Sequence, residues 1–219
     1  MKLYVNELDV NEYENKMLYT MRIISSSMKV SIDEAIELVK KGSIIGFPTE
    51  TVYGFGGILN NATIKSLHKL KNTDGKRPFQ VMVGSCDDVY NIAHTNDIFE
   101  VLKNFYPLPL SLVMKSNNSS IPYDKVAVRI AGNPKAMEVI GECGPLFTTS
   151  ANLSDDEPIV KCKELVKTFS NIPILCGDDE VVYKTSSTVI DIIESPKVLR
   201  EGAIGSEKLE IMTGLKFTR

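Results

Sequence analysis

Histidine is scarce in this chain: His68 and His94 are the two imidazoles among 219 residues. His68 falls inside an amphipathic helical pattern and His94 in a polar loop, so a His-dependent catalytic triad lacks a well-placed base. The four cysteines, Cys86, Cys143, Cys162 and Cys176, form no C-x-x-C pair. With so few imidazoles beside them they argue against a zinc centre and read as reduced, unlinked thiols. No apolar run approaches the ~18 residues of a membrane span. The opening "MKLYVNELDVNEYENK" has no apolar stretch of the kind found in a signal peptide. A soluble cytoplasmic protein with no membrane contact is the expectation. Positive charge is not in excess either: the net charge is −3, which excludes a basic coat over the surface and leaves room for a local basic groove. Among catalytic signatures, G-x-x-x-x-G-K-S/T, G-x-S-x-G and H-E-x-x-H are all missing, and "GFGGIL" fails G-x-G-x-x-G at its last glycine.

What is present is an ordinary globular composition, 43% hydrophobic and 24% charged, in a length suited to one domain. Residues 1–22 read as a polar extension that feeds an edge strand near Arg22–Ile24; 23–219 read as the domain proper. Ser31 opens a helix with Glu34 at the third position, Ile32, Ala35, Ile36 and Val39 on one face, and Gly42 at the stop. Asn61 caps a second helix whose stripe is Ile64, Leu67 and Leu70. Strands are read at Ser43–Phe47 and in "FQVMVGS", "LSLVMK", "VAVRI", "LFTTS", "PILCG", "STVIDII" and "KVLREG". Helices are read in "DIFEVLKNFY", from Pro134 to about Ile140, in "VKCKELVKTF" and in "SEKLEIM". The two types mix without a strict βαβ rhythm, so one mixed, twisted sheet covered by helices is expected.

Five blocks share a design in which a β-type apolar run ends in polar residues: "IIGFPTETVYG", "VAVRI", "LFTTSANLS", "SSTVIDI" and "VLREGAI". The basic helix end "KLKNTDGKRPF" lies between the first two. Strand ends that open into a crevice are where sheets of this kind hold ligands. The inventory there is hydroxyl, amide and guanidinium, which suits a site that holds anions and positions reactants. Arg129 and Arg200 sit inside apolar runs, where a guanidinium needs a partner. Two readings compete: an enzyme, and an RNA-binding module whose footprint is Lys65, Lys69, Lys71, Lys76 and Arg77. The acidic net charge and the lack of aromatic stacking motifs favour the enzyme.

"PTETVYGFG" resembles the signature of the YrdC family, the threonylcarbamoyl-AMP synthases. "KLKNTDGKRPFQVMV" resembles that family's K-x-R block with its following P-L/F, and "VAVRI", "TTSANLS", "SSTVID" and "VLREGAI" are similar to its later blocks, in the same order, from about Ile23 to Ile204. The resemblance implies an α+β fold, a three-layer single domain with a mixed twisted sheet around a large cavity of positive potential. It implies synthesis of threonylcarbamoyl-AMP and pyrophosphate from L-threonine, bicarbonate and ATP, with Mg²⁺ arriving on the nucleotide. A transferase machinery then acts on tRNA beside the anticodon. The chain's length is expected to match the short form of the enzyme.

Carried over residue by residue, Lys71 is the catalytic cation at the phosphates. Thr49, Thr51, Tyr53, Arg129 and Thr149 are substrate-binding, and Ser150, Asn152, Ser187, Thr188 and Arg200 join Lys71 at the nucleotide. Glu50 either meets the threonine ammonium or orders its loop. Glycines 54, 56 and 57 let backbone approach the ligand. No metal ligand is expected from the protein. The chain departs from the pattern at Thr73, where arginine is usual, at Leu108, at Ser111 and at Asp155. Arg77 is expected to replace the arginine absent at Thr73, as a second catalytic cation. These departures leave open a diverged paralogue with another substrate.

Overall fold

A computed structural model of the chain describes residues 28–75, 77–153, 156–177 and 183–219. The extension 1–22 and the expected strand at Arg22–Ile24 lie outside the described residues, as does Lys76. The described chain runs β1 (Lys29–Val30), α1 (Ile32–Lys40), β2 (Ile45–Phe47), β3 (Gly54–Ile58), α2 (Asn61–Lys71), β4 (Gln80–Val83) and α3 (Cys86–Val89). It continues through α4 (Asp97–Leu102), a 3₁₀ turn (Lys103–Phe105), β5 (Leu110–Lys115), β6 (Lys125–Ile130), α5 (Pro134–Cys143) and β7 (Leu146–Ser150). It ends with α6 (Cys162–Thr168), β8 (Ile174–Leu175), β9 (Thr188–Asp191), β10 (Lys197–Arg200) and α7 (Ser206–Thr213). The expected mixed sheet is there, ten strands in the order β1-β8-β2-β3-β7-β4-β6-β5-β9-β10. Parallel pairs such as β4/β6 and β5/β9 alternate with antiparallel ones such as β3/β7 and β5/β6.

Local signals explain the elements. Ser31 and Glu34 form a reciprocal capping box at α1, which buries Ala35, Leu38 and Val39 and leaves Ile32 and Ile36 half-buried. At α2 the cap is Asn60, one residue earlier than expected, its side chain accepting from Thr63 N. The helix closes at Asn72, whose φ of 51° is left-handed.

The unexpected strand is β3, in "GFGGI". Gly56 lies between Phe47 and β7: a Cβ there would meet Phe47 at 2.9 Å, and Phe147 O and the Thr148 methyl at 3.0 Å. Gly57 is closed in by Ile44 and Thr63. Two of the three glycines therefore admit neighbouring protein, and only Gly54 borders the cavity described below. The expectation of reduced thiols is also overturned for one pair: Cys162 and Cys176 form a disulfide with Cα atoms 5.5 Å apart. Neighbouring elements, α6 and the end of β8, bring them together although 14 positions separate them. Cys86 and Cys143 are free.

Side-chain alternation sorts the sheet into two faces. On one, α1 and α5 pack over Ile45, Phe47, Met82 and Leu146. Phe55, Val81, Val128 and Phe147 contribute to the larger core on the other. The first face runs on beyond its helices, and there it forms the floor of a cavity. The register makes the floor continuous: Gly54 opposes Ser150, Gln80 opposes Thr148, Met82 and Ser111 flank Arg129, and Ser111 opposes Val189. Six adjacent strands contribute one row.

Candidate active site

The cavity has a volume of about 500 Å³. Lys71, Arg77, Arg129 and Arg200 all line it, and so do Thr49, Tyr53, Thr149, Ser150, Asn152 and Ser187. The strand-end blocks thus converge on one space. Thr51 and Thr188, expected at the ligand, do not line it. Both are fully buried. The Thr51 hydroxyl accepts from Arg129 Nη2 at 2.6 Å and contacts Thr49 Oγ1 at 3.0 Å. Thr188 Oγ1 donates to Ile204 O and accepts from Gly202 N. Gly202 is obligatory there, because a Cβ would stand 2.3 Å from Ser186 O.

Each cation is held differently. Lys71, the last residue of α2, is 8% exposed. Its ammonium donates to Asn152 Oδ1 at 2.6 Å, Asn152 O at 2.8 Å and Ser150 O at 3.3 Å, so it ties α2 to the loop after β7. Ser150 Oγ donates to the same Asn152 Oδ1. Arg129 on β6, 4% exposed, pairs with Glu50 in the loop after β2: Nε and Nη2 both donate to Oε1, while Oε2 accepts from Gly132 N. Of the two roles considered for Glu50, the structure supports loop ordering, and its side chain lies outside the lining. Arg200 Nη2 donates to Ser187 O at 2.8 Å. Arg77 reaches the cavity from an exposed position.

Two of the cations are held below their ordinary range by burial and by their neighbours. Burial, and then Arg77, pull Lys71 down to a pKa of about 8, with Asp156 acting in the opposite sense. Burial, Arg77 and Arg129 likewise lower Arg200. An ammonium and a guanidinium lowered in this way, with two further guanidinium groups beside them, make a site that an anion relieves.

Thr73 bonds through its hydroxyl to His68 Nδ1 at 2.6 Å, and the His68 ring packs at a tilt on Phe79 with centroids 4.5 Å apart. His68 therefore holds the turn after α2. Thr49 and Tyr53 present less free hydroxyl than their sequence suggests. Thr49 Oγ1 bonds the backbone of Thr51 and Val52, and Tyr53 OH accepts from Gly177 N. Among the polar lining residues not singled out in the sequence are Gln80, Thr148, Asp156 and Ser186. Gln80 was visible as the polar member of "FQVMV", in phase with Met82. Its Oε1 accepts from Ser111 Oγ at 3.1 Å, and Ser111 contacts Ser187 Oγ at 2.9 Å.

Fold and cavity together define an α/β domain whose sheet face floors a chamber lined by four cations. Residues 37–202 match the family model of the Sua5/YciO/YrdC domain, described as "Telomere recombination", and the chain belongs to that family. A threonylcarbamoyl-AMP synthase of Pyrococcus abyssi is 28% identical over 192 residues, covering 82% of this chain and 56% of that protein. One of Aliivibrio fischeri is 24% identical over 183 residues, covering 78% of this chain and 99% of its relative. The solved structure of Pyrococcus abyssi Sua5 complexed with L-threonine matches with a TM-score of 0.78 at 26% identity, over 86% of this chain and 61% of that one. This chain thus spans little more than half of the archaeal protein. Among the described residues no helix is long and apolar enough to cross a membrane.

Proposed function

We propose that residues 23–219 form a cytoplasmic enzyme that makes L-threonylcarbamoyl-AMP and pyrophosphate from L-threonine, bicarbonate and ATP. The product would supply a transferase machinery acting on tRNA beside the anticodon. The observation that carries this reading is the convergence of Lys71, Arg77, Arg129 and Arg200 on one cavity. Every substrate it names brings an anionic group. Lys71 and Arg77 serve the transferring phosphates, with Arg77 in the role that Thr73 vacates. Ser150, Asn152, Ser187 and Arg200 hold the nucleotide. Thr49, Tyr53, Arg129 and Thr149 border the amino-acid end, with Thr51 acting through Arg129 and Thr188 through the backbone of the Arg200 loop. Among the described residues no three His, Cys, Asp or Glu side chains cluster around a metal position. This donor set fits a Mg²⁺ ion carried in on phosphate oxygens and water, where it would neutralise phosphate charge. The basic run of α2 is split: Lys65 and Lys69 are exposed while Lys71 is buried at the cavity, which disfavours a continuous RNA-binding strip.

The test is pyrophosphate release, which should require ATP, threonine and bicarbonate together. Arg200→Ala should weaken ATP binding by about 1.5–3 kcal/mol, the range for a hydrogen bond to a charged group. Unchanged affinity by calorimetry in a folded variant would remove Arg200 from the nucleotide site.

A pH effect follows from Lys71. A phosphate beside the ammonium favours its charged form, so binding raises the depressed pKa of about 8 and takes up a proton. Affinity should therefore fall as pH rises through about 8. Calorimetry of ATP binding at pH 8, in buffers of different ionisation enthalpy, should show uptake of about half a proton. Lys71→Met should show none, and an unaltered uptake in that variant would assign the proton elsewhere.

A further inference from the structure

We propose that Asp156 receives the α-ammonium group of the amino-acid substrate; this rests on the function proposed above and names a subsite within it. The cations of the cavity account for carboxylate, bicarbonate and phosphate. None of them can hold an ammonium, which needs an anionic or carbonyl acceptor. Glu50 is the carboxylate that the sequence offers for this task. It is committed on both oxygens, to Arg129 and to Gly132 N, and it does not line the cavity. Among the described residues Asp156 is the one Asp or Glu that does line it.

The backbone of Asp156 is fixed. Its N donates to Leu153 O at 3.2 Å, and its O accepts from Asn152 Nδ2 at 2.7 Å. Asn152 in turn accepts from Lys71 through Oδ1 and its backbone O. These bonds set the backbone of Asp156, an exposed residue at the cavity wall, relative to the Lys71 ammonium, and the field of Asp156 is felt at Lys71. An ammonium at Asp156 places the substrate nitrogen at the Lys71 end of the cavity. That is the end proposed for the phosphates, where the nitrogen must meet bicarbonate carbon on its way to the adenylate. A carboxylate contact favours the protonated amine, so Asp156 supplies affinity and position and leaves the loss of the ammonium proton to another acceptor.

The test is calorimetry on the full chain, saturated with a non-hydrolysable ATP analogue and Mg²⁺. It compares L-threonine with 2,3-dihydroxybutanoate, which has hydroxyl in place of ammonium. Asp156→Asn should weaken threonine binding by about 10–100-fold, as for loss of a charge-assisted hydrogen bond. Binding of the dihydroxy acid should stay within about threefold of wild type, and so should binding of the nucleotide. Equal threonine affinities in the two proteins would overturn the assignment while leaving the synthase reading intact. Parallel losses for threonine and the dihydroxy acid would overturn it by showing a collapse of the turn. A loss confined to Mg²⁺-nucleotide would reassign Asp156 to the metal and overturn it too. Wild-type protein that binds the nucleotide and no threonine would refute the synthase reading itself, and this inference with it.

Discussion

Lys71→Ala is expected to lower pyrophosphate release by two to three orders of magnitude, the range for deleting one preorganised charged donor at a reacting centre. Two losses combine. The cavity loses the ammonium that lines it at the proposed phosphate end, and the end of β7 and the Asn152 loop lose their tie to α2. The fold should survive. Ser150 Oγ still donates to Asn152 Oδ1, and water entering the cavity can satisfy the freed carbonyls. A melting point within a few degrees of wild type is expected, equivalent to about 1 kcal/mol in a chain of this size. Lys71→Arg should rescue poorly, because a planar fork cannot reproduce three donors radiating from one nitrogen. Near-wild-type rates from Lys71→Ala would undermine the proposed reaction. Loss of the fold would show that the tie, rather than the charge, is what the residue supplies.

The parts of this site legible in the sequence are those governed by local pattern. Each strand-end polar block lies at or beside a strand end, and the apolar run next to it, before the block in most and after Ser187 and Thr188 in β9, predicted that strand. The capping pairs at Ser31 and near Asn61 placed the first two helices within a residue. Alternation along a strand, by contrast, has a phase that one sequence leaves open. Thr188, at the start of β9, and Thr51, in the loop between β2 and β3, were read as facing the ligand, yet their hydroxyls hold the Gly202 loop and Arg129. Strand β3 was hidden because three glycines argue against a strand, and only the closeness of Phe47, Phe147 and Ile44 makes glycine the residue that fits. The short helix α3 was within reach, since Ser85 and Asp88 carry the capping-box spacing. The Cys162–Cys176 disulfide was out of reach, because its two ends meet only through the packing of α6 against β8. Asp156 stands apart from these. It was written in "SANLSDDEP", and its importance appears only once Glu50 is seen to be occupied by Arg129.

That occupied pair carries the largest expected effect on stability. Arg129 and Glu50 are 5% and 11% exposed at their side chains. Removing one partner from a buried pair strands the other charge, at a cost on the order of 3–5 kcal/mol. Glu50→Gln keeps the shape and deletes the charge, so its melting temperature should fall by roughly 6–20 °C, taking about 2–4 °C per kcal/mol for a domain of this length. Arg129→Met should fall less, because Gly132 N still satisfies one Glu50 oxygen. The double variant should lose less than the two single variants summed, which is the signature of direct coupling. Arg129 also lines the cavity, so Glu50→Gln leaves a buried guanidinium facing the anion site without its counter-charge. An anion that binds there then does what Glu50 did. Bicarbonate or pyrophosphate should therefore raise the melting temperature of Glu50→Gln by several degrees more than that of wild type at the same concentration, since a ligand stabilises in proportion to its preference for the folded state. A variant that melts within about 2 °C of wild type would mean that the pair contributes little. Equal anion-induced shifts in both proteins would mean that Arg129 is turned to its own loop and away from the substrate.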